Sequence, residues 1–159
     1  MTPIFALQPL PPGGPSVFLA GPTPRADKPV PSWRPAALEI LGRLGFGGAV
    51  FVPEAADWGA HDNYDAQIDW EWAALDAASA IVFWIPRDLS VMPAFTTNVE
   101  FGLYATSGKV VLGFPPQSPK NRYLERLAGR ADCGIAVFHD LTRTLAAGIG
   151  LAEALHAAR

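Results

Sequence analysis

Five short, nearly continuous apolar runs constrain what this chain can fold into more than any other feature. They are Ser16-Val-Phe-Leu-Ala20, Ala49-Val-Phe-Val52, Ala80-Ile-Val-Phe-Trp-Ile85, Val110-Val-Leu112 and Gly134 to Phe138. None alternates apolar with polar residues, so each reads as a strand covered on both faces. The segments between them carry helix signals instead. Ser32 can cap a helix that opens at Trp33, continues through Leu38, Leu41 and Leu44, and stops at Gly45. Ile68, Trp72, Leu75 and Ala78 share one side of a helix over about 64–79. A third helix begins at Thr96 or Thr97 and runs through Phe101 and Tyr104 to Gly108; a fourth spans about 120–129, and the last fills 140–157.

Strand and helix alternate along the whole chain, which predicts a parallel sheet with helices on both faces. With five strands the expected architecture is α/β, a flavodoxin-like three-layer sandwich of strand order 2-1-3-4-5. Residues 1–15 are rich in Pro and Gly and show no period, so they read as an N-terminal arm outside the core, with 16–159 as a single domain. In such sheets ligands bind beyond the carboxyl ends of the strands, where the strand order reverses. That points to the loops 21–32, 53–63, 86–97 and 113–119.

Composition narrows the function classes. Half of the 159 residues are hydrophobic and 17 % are charged, which fits a real core and not a disordered chain. A net charge of −3 gives no electrostatic footprint for a nucleic-acid polymer. The longest apolar run, residues 80–85, is far too short to span a bilayer, so no membrane partner is expected. Cys133 is the single cysteine, so no internal disulfide or cysteine metal cluster can form. The N-terminus lacks the basic region of a signal peptide, and the expected location is cytoplasmic. His61, His139 and His156 show no metal-ligand spacing; neither a metal nor a cofactor is expected.

Three places could carry chemistry. Gly21-Pro22 ends the first apolar run; the glycine lets a ligand approach the backbone, or serves only as a tight strand exit. Asp69 and Glu71 lie two apart on the second helix, so they point to different faces, one solvated and one toward the cleft. Thr96-Thr-Asn-Val-Glu100 opens the third helix, where hydroxyls and open N–H groups suit an anion or a sugar hydroxyl. Thr97 and Glu100 also fit the spacing of a capping box. Of the five tryptophans, Trp58 sits in a cleft loop and is placed to meet a planar ligand. No cluster of Arg or Lys marks a phosphate site, although Arg25 and Arg87 lie in cleft loops, and Arg87 with Asp88 reads equally as a solvated loop pair.

Val17-Phe-Leu-Ala-Gly-Pro22, Glu71-Trp-Ala-Ala-Leu-Asp-Ala-Ala-Ser-Ala80, Asn98-Val-Glu-Phe-Gly102 and Ser107-Gly-Lys-Val110 together resemble the nucleoside 2-deoxyribosyltransferase family over about residues 16–115. The resemblance implies cleavage or transfer at the N-glycosidic bond of a nucleoside or nucleotide, and one nucleoside deoxyribosyltransferase-like domain over 16–159. It places the attacking carboxylate at Glu100 and the acid/base group at Glu71, with a raised pKa expected at Glu71 and an ionised Glu100. It implies substrate contacts from Phe18, Gly21, Pro22, Trp58, Thr96, Thr97 and Asn98, the last three holding sugar hydroxyls or a 5′-phosphate. Many members have a tyrosine where this chain has Phe18, and an acid or Gly-rich stretch where it has Met92 to Thr97. Members complete their sites across a subunit interface, so a homo-oligomer is expected, with Asn121 as a residue to contribute to it. Two alternatives stand beside transfer: hydrolysis of a nucleoside 5′-monophosphate, and a non-catalytic nucleotide-binding module on the same fold.

Overall fold

The computed structural model describes residues 1–24, 30–57 and 63–158. Its elements are β1 (Thr2–Phe5), β2 (Ser16–Ala20), α1 (Arg34–Arg43), β3 (Ala49–Val52), α2 (Tyr64–Ala77), β4 (Ala80–Trp84), α3 (Phe95–Tyr104), β5 (Val110–Gly113), α4 (Arg122–Ala128), β6 (Val137–Phe138) and α5 (Leu141–Ala157). The strands form one sheet in the order β1-β3-β2-β4-β5-β6, and every pair is parallel.

The five expected strands occupy the expected order, and the sheet gains a sixth. Thr2–Phe5, expected in the arm, pairs in register with Ala49–Val52 as an edge strand. The four residues are too few, and too close to prolines, to announce a strand; the open edge of β3 recruits them. The arm is tied down further where Ala6 N–H donates to the Glu54 carbonyl and Trp70 Nε1 donates to the Gln8 carbonyl.

The apolar runs are buried on both sides. Phe18, Ala20, Ile81 and Phe83 join Leu75, Phe101 and Leu124 on the face covered by α2, α3 and α4. Val17, Leu19, Val50 and Val82 pack with Ala37, Leu41, Leu145 and Ala152 on the face covered by α1 and α5. Successive residues of a strand therefore feed opposite layers, as the period of two requires. Phe18 and Ala20 face the α2/α3 layer, and this decides which helices can share a site with β2.

Most helix ends differ from the expectation by a residue or two, but α3 ends at Tyr104, four residues short of Gly108. Trp33 is the N-cap of α1, and Ser32 Oγ accepts from Arg34 N–H. Asn63 caps α2 through Ala66 N–H, and Lys109 Nζ closes its far end by donating to the carbonyls of Leu75, Asp76 and Ala78. Among the described residues no helix is long and apolar enough to cross a membrane.

Candidate active site

β2 is flanked by β3 and β4, so α2, which follows β3, and α3, which follows β4, start on either side of its carboxyl end. A cavity of 490 Å³ opens there. Its floor is Phe18 and Ala20 of β2 and the exit Gly21 to Thr23, with Arg34. One wall is α2, which presents Tyr64, Gln67 and Glu71; the other is Pro93 to Thr97 with Glu100. This is the size and position expected of a small-molecule site in an open parallel sheet.

Helical spacing explains both walls. Tyr64, Gln67 and Glu71 are separated by three and four residues and so share one face. Glu71 is half-buried while Asp69 is exposed, which settles the two carboxyls of α2 in favour of Glu71. Gln67 Nε2 donates to Glu71 Oε1 at 2.8 Å and reaches the Pro53 carbonyl at 3.4 Å. On α3, Thr96, Thr97 and Glu100 lie within one turn and line the cavity together. The helix starts at Phe95, one residue before Thr96, and its N-cap is Ala94 in the left-handed conformation (φ 61°) with no side-chain cap. Thr97 is therefore inside the helix, and the capping box with Glu100 does not form. Among the described residues no side chain caps the opening N–H groups of α3, and buried Thr97 stands with them on the cavity wall.

Glu100 is a strongly perturbed acid. Burial, and then the negative charge of Glu71, push its carboxyl up to about 7, while Arg34 opposes the shift. The ionised carboxyl expected at Glu100 is instead one whose pKa is raised, because α3 carries it into the layer between helix and sheet.

Gly21 serves both of the readings open to it. It lines the cavity, and its φ of 153° and its closeness to the Trp84 carbonyl leave no room for a Cβ. Pro22 is buried on the cavity floor, and its carbonyl accepts from Trp33 Nε1 at 3.2 Å. Phe18, 1 % exposed, supplies apolar floor and no hydroxyl.

Other expectations need correction. Asn98 does not line the cavity; its side-chain oxygen accepts from Arg87 Nη2 at 2.7 Å. Two residues along a helix turn about 200°, so Asn98 and Glu100 cannot share a face. Arg87 is not a solvated partner of Asp88. It is buried and donates to Asn121 Oδ1 and the Pro93 carbonyl as well, while Asp88 organises its own turn through Ser90 and Val91. Asn121 is buried in that cluster and also donates to the Ile85 carbonyl, so it is engaged within its own chain. Trp58, Arg25 and His61 lie outside the described residues.

Sequence reasoning missed a charged residue of the cavity floor and the buried acid it pairs with. Arg34 is 1 % exposed and forms an ion pair with buried Glu54. Its other donors reach the carbonyls of Leu19 (3.1 Å) and Gly21 (2.7 Å) and the Thr23 hydroxyl (3.0 Å). A lone arginine at a helix start carries no signal that it will be buried. The i, i+3, i+7 spacing of Tyr64, Gln67 and Glu71, by contrast, was visible and could have named that wall. Among the described residues no group of three or more His, Cys, Asp or Glu side chains converges as a metal site.

No curated protein matches the chain. A family model described as nucleoside 2-deoxyribosyltransferase like matches residues 14–118, from just before β2 to beyond β5, and so takes in the floor and both walls of the cavity. With two thirds of its length matched, the chain belongs to the nucleoside 2-deoxyribosyltransferase-like family.

Proposed function

We propose that this cleft breaks or transfers the N-glycosidic bond of a (deoxy)nucleoside or nucleotide, with Glu100 as nucleophile and Glu71 as acid/base. The observation that carries the reading is the convergence of these two carboxyls, from different helices, on one cavity at the strand-order reversal. In the first step the Glu100 carboxylate attacks the anomeric carbon. The carbon–nitrogen bond breaks, its electron pair leaves with the base, and the base takes a proton from the Glu71 carboxyl. In the second step a new base or water attacks the glycosyl ester. Glu71 takes the attacker's proton, and Glu100 departs as a carboxylate.

The surroundings suit these roles. Gln67 donates to Glu71, which holds that carboxyl in orientation. Thr96, Thr97 and the uncapped start of α3 offer donors to sugar hydroxyls or a 5′-phosphate. Tyr64 and Phe95, 64 % and 72 % exposed, stand on opposite walls as flat surfaces for a base. Phe95, Val99 and Leu103 also form an exposed apolar stripe at four-residue spacing on α3. That stripe supports the further proposal of a homo-oligomer, which light scattering on the eluting protein checks; a monomer at all concentrations contradicts it.

The test is incubation with 2′-deoxynucleosides and their monophosphates, with and without a second base. Free base should appear with the wild type and be lost in Glu100→Ala. A new nucleoside formed with a second base identifies transfer; base release without exchange identifies hydrolysis. Nucleotide binding without release from any substrate identifies the non-catalytic module and overturns the enzyme reading.

A further inference from the structure

Glu100 meets an unusual environment for a carboxyl that is to attack as an anion. Among the described residues no hydrogen bond reaches its side chain, and Phe18 beneath it has no hydroxyl to give. Its charge state is therefore set by burial first and then by the charges of Glu71 and Arg34. The titratable and charged groups around it are Glu71 and Tyr64 from α2, Tyr104 one turn along α3, and Arg34 from α1. Of the described residues lining the cleft, Arg34 is the one cation.

Arg34 is held in place as a fixed charge. A guanidinium does not deprotonate in a protein. Carbonyls of Leu19 and Gly21 and the Thr23 hydroxyl fix its orientation against the exit of β2. Its ion-pair partner, Glu54, uses the same oxygen, Oε1, to accept from Arg34, Ser32 and Thr23. Glu54 does not line the cavity, whereas Arg34 does. The positive charge is thus paired with a buried anion outside the cavity lining and shares the cavity with two carboxyls.

We infer that Arg34 and Glu54 together tune the charge of the attacking carboxyl: Arg34 favours the anionic form of Glu100, and Glu54 limits how strongly it does so. Arg34 is a positioning residue that acts through Glu100, not one that touches the reacting atoms. The inference rests on the reading of Glu100 as nucleophile for its catalytic meaning, but its electrostatics can be measured without turnover. The layout has a physical logic. An unopposed arginine in the floor would draw the nucleophile's charge to itself and weaken its attack, whereas no arginine would shift the nucleophile further toward its protonated form.

The test is a carboxyl-carbon NMR titration of Glu100 in the intact protein, assigned by its loss in Glu100→Gln. In the wild type the midpoint should lie at about 7. Glu54→Gln removes a negative charge but keeps a polar side chain of the same size, and should lower that midpoint by about one pH unit. Arg34→Gln should raise it by a similar amount, and Arg34→Lys should bring it back toward the wild-type value. A purely structural role for the pair would not give shifts of opposite sign. If Arg34→Gln does not fold, Glu54→Gln decides alone: an unmoved or raised midpoint in the folded variant overturns the inference. The base-release assay stays separate. Opposed midpoint shifts in a protein that releases no base would uphold the electrostatic pair and defeat the nucleoside reading; unmoved midpoints in an active enzyme would do the reverse.

Discussion

Two arginines are buried at the carboxyl edge of the sheet, and they do different work. Arg34 is paired with a carboxylate and borders the cleft that holds Glu71 and Glu100. Arg87, 6 % exposed, has only neutral acceptors among its hydrogen-bond partners described above: the side-chain oxygens of Asn98 and Asn121 and the Pro93 carbonyl. Its burial lowers its pKa, as it must for a cation without a compensating anion. Arg87 joins the loop after β4 to the back of α3 and to the start of α4, so it fixes where Glu100 stands without sharing its cleft. The lesson is that the same side chain acts as a charge in one place and as a fastening in the other. The partner's charge and the cavity, not burial, distinguish the two.

The comparison breaks first, if it breaks, on α3. Glu100→Gln should lower base release at least about a thousandfold. Asn98→Ala, two residues away but on the Arg87 side, should leave the rate within about tenfold and cost about 1–3 kcal/mol of stability in urea unfolding. Equal losses of rate would mean that the two clusters are one site. The next effect concerns the arginines themselves. Arg34→Met leaves Glu54 buried and unpaired and should cost about 3–5 kcal/mol. Arg87→Met leaves neutral acceptors only and should cost about 1–3 kcal/mol by the same measurement.

The pH dependence of stability sharpens the contrast. Glu100 titrates at about 7 when folded, against 4.5 for a free glutamate. Between these values the folded chain keeps a proton that the unfolded chain has lost, so raising the pH destabilises it. The penalty is absent below about pH 4.5 and complete above about 7, where it amounts to roughly 3 kcal/mol. Urea midpoints taken at pH 5 and pH 8 should differ less in Glu100→Gln than in the wild type; an unchanged difference removes Glu100 as the source. Catalysis should move the other way, rising through pH 7 as the nucleophile ionises. The smallest effect is at the mouth of the cleft. Tyr64→Ala should raise KM about tenfold with kcat nearly unchanged, as for loss of one base stack, whereas Leu103→Ala, outside the cavity, should leave the KM of the assembled enzyme alone. Identical values for Tyr64→Ala and wild type would place the base elsewhere.

Much of the fold was legible because its strands are apolar at nearly every position and its helices have caps and stops. The interior strand order followed from that alternation. β1 was not legible: Thr2–Phe5 becomes a strand only because β3 offers an open edge. Within the site, Glu71 and Glu100 were found through the family resemblance together with their helical placement. Asn98 was misplaced although helix geometry alone separates it from Glu100. Arg34 and Glu54 were invisible for a deeper reason. They lie 20 residues apart in the chain, and nothing local to either says that the fold will bury one against the other.

The account stands most directly on a covalent bond between the substrate's sugar and Glu100. Wild-type protein is mixed with a 2′-deoxynucleoside from which it releases base, quenched in acid during turnover and digested for peptide mass spectrometry. The expected result is one deoxyribosyl unit on the peptide that carries Glu100, absent from Glu100→Gln, which also releases no base. Base release at the wild-type rate by Glu100→Gln, or an adduct on another residue that persists in that variant, would contradict it.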